Sequence, residues 1–252
     1  MEQRQRSILE ENWRAIRTRV EAACRRSERD PQSVRMIAVS KTVPVQWICE
    51  AAALGLRDFG ESRVQEMRDK RANLAEGFPD ARWHLIGHLQ RNKVPLAVDF
   101  FNMIHSVDSV ELADTLNRCA GSRRKPRPAG DVSAREPNRM DVFVQVNISG
   151  ESTKRGCTPR EATALARRIL QMPHVKLRGL MTIAPYDDDP DAARPWFRAL
   201  RTLRDDAALG LGIEPSKLEL SMGMSHDFEA AIEEGADWIR IGTALFGERP
   251  YS

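Results

Sequence analysis

Met36-Ile-Ala-Val-Ser-Lys41-Thr-Val-Pro44 is the stretch on which the fold turns. An apolar run ends in a serine and a lysine, and a helical pattern, Val45 to Gly55, starts just past Pro44. Met36 to Ser40 therefore reads as a short buried strand, with Lys41 where strand gives way to loop. A lysine there has two readings. Its stem packs while its ammonium reaches water, or partial desolvation lowers the amine pKa and makes it a nucleophile toward carbonyls.

The same strand-then-helix phrase repeats along the chain. An amphipathic helix comes first, over residues 5–27, with Leu9, Trp13, Ile16, Val20 and Ala23 on one face. After Met36 to Ser40, further strands are expected at Leu56–Gly60, Arg82–Ile86, Phe100–Ser106, Asp141–Ile148, Lys176–Ile183, Lys217–Ser221 and Ala236–Ile241. Helices fall between them, at Glu61–Ala75, Gln90–Ala97, Ser109–Ala120, Pro159–Gln171, Ala192–Ala208 and Phe228–Glu234. Regular alternation argues for a parallel sheet. Eight units fill a chain of 252 residues, which matches a (β/α)8 TIM barrel of about 250 residues. A doubly wound open sheet is less favoured, because no GxGxxG follows the first strand. One domain over residues 1–252 leaves no length for a second. Residues 121–139, rich in Gly, Pro, Ser, Arg and Lys, read as a mobile surface loop.

Bulk properties narrow the function. Lysine and arginine total 39 against 36 acidic residues, so the net charge is +3, which argues against nucleic acid as a partner. Four cysteines (Cys24, Cys49, Cys119, Cys157) form no CxxC pair, which speaks against a metal or disulfide framework and for a reducing cytoplasm. The charged N-terminal stretch lacks a signal-peptide core, and no run reaches the roughly 18 apolar residues of a membrane span.

In a barrel of this type the site lies at the C-terminal ends of the strands. Lys41 ends the first. Ser221-Met-Gly-Met-Ser225 begins at the end of the seventh, and Arg240-Ile-Gly-Thr243 spans the end of the eighth. Loops after strands seven and eight commonly hold a phosphate in this fold, through backbone N–H groups and hydroxyls. Two ordinary capped turns are the alternative. A lysine able to form an imine, with a phosphate cup beside it, suits pyridoxal 5′-phosphate (PLP) or a sugar phosphate handled by a class I aldolase.

Ala38-Val-Ser-Lys-Thr42, Phe59-Gly-Glu-Ser-Arg-Val-Gln-Glu66 and Trp83-His-Leu-Ile-Gly-His-Leu-Gln-Arg-Asn-Lys93 occur here in that order. Ile104-His-Ser-Val-Asp108, Val146-Asn-Ile148, Leu177-Arg-Gly-Leu-Met181, Leu220-Ser-Met-Gly-Met-Ser-His-Asp227 and Arg240-Ile-Gly-Thr243 follow. With these motifs the chain resembles the YggS/PROSC group, the PLP-binding proteins of vitamin B6 homeostasis, over nearly its whole length. The resemblance implies the barrel of the alanine racemase N-terminal domain (fold type III), with PLP held as a Schiff base on Lys41. It implies that Ser221, Ser225, Gly242 and Thr243 hold the phosphate and that Arg240 faces the pyridine nitrogen. Ser62 stands where the family has asparagine.

Arginine only donates hydrogen bonds, so a ring nitrogen facing Arg240 stays unprotonated and the ring is a weak electron sink. Transamination is disfavoured. Racemisation needs a second base, and the two tyrosines, Tyr186 in an acidic loop and Tyr251 in the tail, serve that role poorly; His84 is the remaining candidate. A non-catalytic PLP carrier that serves apo PLP-dependent enzymes, cytoplasmic and monomeric, is therefore expected ahead of a racemase-like enzyme.

Overall fold

The computed structural model describes residues 2–74, 80–122 and 139–247. The elements run α1 (Glu2–Arg26), β1 (Arg35–Val39), α2 (Val45–Ala53), β2 (Asp58–Glu61), α3 (Val64–Leu74), β3 (Arg82–Leu85), α4 (Val94–Phe100), β4 (Met103–Val107) and α5 (Val110–Ser122). They continue with β5 (Met140–Gln145), α6 (Pro159–Leu170), β6 (Val175–Met181), α7 (Arg194–Leu211), β7 (Glu219–Met224), α8 (Phe228–Glu233), β8 (Trp238–Ile241) and α9 (Thr243–Phe246). The strands pair in parallel, each with its sequence neighbour. The barrel closes where β1 meets β8, with Ile37 opposite Arg240 and Ala38 opposite Ile241. The expected (β/α)8 barrel with a leading helix is what forms.

Side chains alternate between the barrel interior and the shell of helices. Ile37, Met103, Phe143, Met181 and Trp238 make the inner apolar cluster. The larger cluster lies between strands and helices. The extra helix α1 packs on α2, α8 and α9. It buries Leu9, Ile16 and Ala23, seven residues apart, and salt bridges join Arg19 to Glu229 at 2.8 Å and Arg26 to Glu233 at 2.6 Å. It thus covers the apolar backs of the elements flanking the closing seam. The N-terminal floor of the barrel is ionic. Glu219 receives Arg35 at 2.6 Å and the Trp238 indole N–H at 2.8 Å, and the Arg35 guanidinium sits 4.0 Å above the Trp238 ring.

Two boundaries differ from expectation in ways that matter. The seventh strand runs on to Met224 rather than ending at Ser221. Gly223, at φ +90°, looks like a turn residue. Here it sits in an irregular step of the β7–β8 ladder between Ser221 and Met224, packed so closely that a Cβ would lie 2.5 Å from that of Ala231. Ser221 is therefore within the barrel wall rather than at the strand's end. Glu61, expected to open a helix, is the fully buried last residue of β2. Of the loop expected at 121–139, Gly121 and Ser122 end α5 and Arg139 precedes β5; residues 123–138 lie outside the described residues. Among the described residues no helix is long and apolar enough to cross a membrane.

Candidate functional site

Strands β7, β8 and β1 are consecutive around the barrel, so their C-terminal ends bring Ser225, Gly242, Thr243 and Lys41 to one sector of the mouth. Lys41 is exposed in the turn after β1. Among the described residues its ammonium has no hydrogen-bond or ion-pair partner. The backbone that carries it is held on both sides. The Ser40 hydroxyl donates to Glu61 Oε1 at 2.6 Å, and Lys70 Nζ donates to the Ser40 carbonyl at 2.7 Å, to Glu61 Oε1 at 2.8 Å and to Glu66 Oε1 at 2.7 Å. Glu66 Oε1 also accepts the Thr42 amide. This clamp keeps Thr42 at φ +61°, a left-handed conformation that a β-branched residue adopts only when its surroundings enforce it. Burial pushes the Glu61 carboxyl pKa up, against the pull of Lys70 and Ser40. Its second oxygen, Oε2, is buried and has no partner among the described residues.

The Ser225 hydroxyl oxygen accepts from the backbone amides of Gly242 at 3.1 Å and Ala244 at 3.3 Å, tying the end of β7 to the start of α9. Thr243 is exposed beside them. Asp227 holds the turn from below, accepting the Met224 amide at 2.6 Å. Arg240 lies one layer deeper and is buried. It donates through Nη1 to the Ser221 hydroxyl at 3.0 Å and through Nη2 to the Thr182 carbonyl at 2.8 Å. Among the described residues no carboxylate lies within ion-pair distance of it. Burial pulls its pKa down to about 10, with Asp227 opposing at longer range. Four of the expected residues, Lys41, Ser225, Gly242 and Thr243, thus share the mouth. Arg240 and Ser221 lie together beneath it, and Ser221 makes no bond to the Ser225 cluster.

The sequence reading missed what stands behind Ser221. Its Oγ is 2.9 Å from His105 Nδ1; His105 Nε2 is 3.0 Å from His84 Nδ1; His84 Nε2 is 2.8 Å from Asp58 Oδ1. Arg82 donates to the other Asp58 oxygen at 2.6 Å. His84, weighed as a second base at the mouth, is locked in the core and cannot reach a ligand there. The only signal in the sequence was a histidine in each of two neighbouring strands. Burial lowers the pKa of both rings; Asp58 partly opposes this for His84, while His84, Arg240 and Arg35 deepen it for His105.

Acid sensitivity follows. Unfolded histidine takes a proton near pH 6.5, whereas these two rings resist it when folded. The unfolded chain therefore binds more protons below that pH, and stability falls as pH drops from about 6.5 toward the lowered folded values. The groups facing His84 are Asp58, Arg82, Arg35 and His105; those facing His105 are His84, Ser221, Arg240 and Arg35. Urea unfolding between pH 7.5 and 5 is expected to show a loss approaching about 1.4 kcal/mol per pH unit for each ring. A His105→Gln variant is expected to show a shallower slope; an equal slope refutes the assignment.

A concavity opens at the opposite face, between α1 and the strand N-termini, lined by Trp13, Arg17, Arg57 and Arg82 among others. Its described lining contains no lysine, so it offers no amine to condense with a carbonyl.

Comparison with known proteins shows the family. The family described as alanine racemase, N-terminal domain, matches residues 7–250. The pyridoxal phosphate homeostasis protein of Pseudomonas aeruginosa is 44% identical over 245 residues, 97% of this chain and 97% of its own. That of Homo sapiens is 40% identical over 247 residues, 95% of this chain and 86% of its own. The structure of PipY from Synechococcus elongatus with PLP bound is 39% identical and superposes with a TM-score of 0.72, covering 91% of this chain and 100% of that one. An alanine racemase of Clostridium difficile, 15% identical with a TM-score of 0.69 over 98% of this chain and 61% of its own, shares the barrel.

Proposed function

The chain belongs to the alanine racemase N-terminal-domain family and to its pyridoxal phosphate homeostasis proteins, and from that premise we propose that it holds PLP reversibly at the barrel mouth, with Lys41 as the anchoring amine, and passes it on. The observation that carries this is Arg240. A buried cation without a carboxylate at hand is costly, and it is retained here beneath an exposed lysine. A guanidinium has five N–H donors, and those not used on Ser221 and Thr182 suit one more acceptor at the mouth.

The residues fit the group. PLP, when bound, brings an aldehyde that condenses with a primary amine, a pyridine nitrogen and a phosphate. Lys41 offers an amine with no competing partner among the described residues. Arg240 offers donors to a nitrogen. The Ser225 and Thr243 hydroxyls are free to donate to a phosphate in the region where this fold commonly binds one, and the Gly242 amide, given to Ser225 Oγ here, would have to exchange that partner for the phosphate to join them. Ser221, expected on the phosphate, is reassigned: its hydroxyl engages Arg240 and His105, so it serves the ring-nitrogen side.

A carrier rather than an enzyme is the reading we adopt. Arginine keeps the ring nitrogen bare, and a neutral ring stabilises a carbanion poorly. A second base is also wanting. His84 is held in the core, and the hydroxyl of exposed Tyr186 leans on Asp188 at 3.4 Å with its ring against His226; Tyr251 lies outside the described residues. Four unbonded cysteines suit a cytoplasmic location, where apo PLP-dependent enzymes are the natural recipients, and a monomer suffices because the site draws on one barrel.

The test is α-proton exchange. Amino acids incubated with the PLP-loaded protein in D2O are expected to exchange no faster than with free PLP, while a PLP-dependent enzyme stripped of its cofactor regains activity on mixing. Exchange at enzyme-like rates, which are 1–10³ per second in order of magnitude, would overturn the carrier reading.

A further inference from the structure

The hydrogen-bond chain behind Ser221 has only one arrangement of protons that satisfies its two ends. Arg240 can only donate, so the Ser221 oxygen accepts from it. The Asp58 carboxylate, held ionised by His84 and Arg82 against the effect of burial, can only accept, so His84 Nε2 carries a proton. A neutral His84 then has a bare Nδ1, which accepts from His105 Nε2–H at 3.0 Å. A neutral His105 in turn has a bare Nδ1, which accepts the Ser221 hydroxyl proton at 2.9 Å. Every donor points the same way, from Arg240 on β8 to Asp58 on the barrel floor.

We propose that Asp58, His84, His105 and Ser221 are positioning residues for Arg240: a one-way hydrogen-bond chain that delivers the counter-charge of a distant carboxylate to the guanidinium and fixes which of its N–H groups face the mouth. It rests on the reading that Arg240 meets the pyridine nitrogen of PLP. The physical basis is alignment. Successive dipoles in a low-dielectric interior polarise one another, and each link here presents its negative end toward Arg240. The links are also packed, not merely bonded. The His105 ring stacks on Phe143 with centroids 4.5 Å apart, and His84 lies 5.0 Å from Trp238. Arg82, about half exposed, holds the outer oxygen of Asp58 and fixes the negative end of the chain at the floor.

The chain reverses if an imidazole takes a second proton. A protonated His84 donates through both nitrogens, His105 must then donate to Ser221, and a positive charge arrives in the stack that also faces Arg35, Arg82 and Arg240. Ser221 keeps only its oxygen for two donors, and the hold on Arg240 weakens.

Two measurements test this. Nitrogen-15 correlation spectra of the imidazoles in the ligand-free protein are expected to show His84 and His105 as neutral Nε2–H tautomers at pH 7.5; an Nδ1–H tautomer or an imidazolium at either position overturns the proposal. The second compares PLP with 1-deazapyridoxal 5′-phosphate, which has carbon in place of the ring nitrogen. The wild-type protein is expected to prefer PLP by about tenfold, the scale of one hydrogen bond from a charged donor. Asp58→Asn is expected to erase most of that preference while leaving affinity for the deaza compound unchanged. A purely structural role would lower both affinities together, and an unaltered preference in a folded Asp58→Asn protein refutes the chain. If the wild type binds neither compound, the PLP reading fails, and the tautomers alone decide the proposal.

Discussion

Lys41→Ala is expected to leave a folded protein that no longer retains PLP. In the wild type, borohydride reduction after PLP loading fixes the added mass on the peptide containing Lys41, because hydride converts the carbon–nitrogen double bond to a stable single bond. In the variant no peptide carries the mass, and the visible absorption of the bound cofactor reverts to that of the free aldehyde. Retention after gel filtration falls by about 100-fold in apparent affinity, equivalent to about 2.7 kcal/mol. Residual binding persists through Arg240, Ser225 and Thr243. Folding is spared because the exposed side chain packs nothing, and the turn is held by its neighbours: the Ser40 amide on the Gly60 carbonyl at 2.9 Å, the Val43 amide on the Ser40 carbonyl at 2.9 Å and the Lys70–Glu61–Glu66 clamp. Covalent mass on another lysine in the wild type, or unchanged absorption in Lys41→Ala, removes Lys41 from the role.

The clamp and the histidine chain show where sequence reading stops. The alternation of strand and helix is local information, carried by side-chain periods of two and 3.6, and it placed all eight strands in order and Lys41, Ser225, Gly242 and Thr243 at one end. Partnership across the barrel is not local. His105 and Ser221 are 116 positions apart, and Arg240 reaches back 58 positions to Thr182. Nothing in the flanking residues announces either bond. The same blindness displaced Ser221: a serine before Met-Gly-Met reads as the last residue of its strand until β8 is known to pair as far as Met224. Glu61 was misread for a related reason. A carboxylate beside Ser62 and Arg63 looks like the polar opening of a helix, and only the Lys70 ammonium, arriving from α3 to meet it at 2.8 Å, makes its full burial tolerable.

Gly179→Ala is expected to be the most destabilising single-methyl change in the barrel wall. Gly179 sits in β6 opposite Phe143 of β5 and Glu219 of β7, at the point where the β5–β6 register shifts. A Cβ there would lie 1.7 Å from the Glu219 carbonyl oxygen and 2.6 Å from its carbonyl carbon and amide nitrogen. All three are backbone atoms of a paired strand, so no rotamer change relieves the clash; β6 and β7 must separate. Glycine inside a strand marks such an approach of one backbone to another. Overpacking of this kind lies at or beyond the upper end of the usual range, about 3–5 kcal/mol. The damage also spreads to the site. Glu219 anchors Arg35 and Trp238 on the floor, and Ser221, two residues on in the same strand, is the hydroxyl that holds Arg240. Urea midpoints and PLP affinity are therefore expected to fall together. Gly210→Ala supplies the contrast. In α7 its Cβ would meet only the Thr163 methyl, at 3.9 Å, so alanine is expected to raise stability by about 0.5–1 kcal/mol through its helix preference with PLP affinity unchanged. Equal midpoints for the two variants would mean that β6 and β7 do not approach as closely at Gly179 as the barrel described here requires.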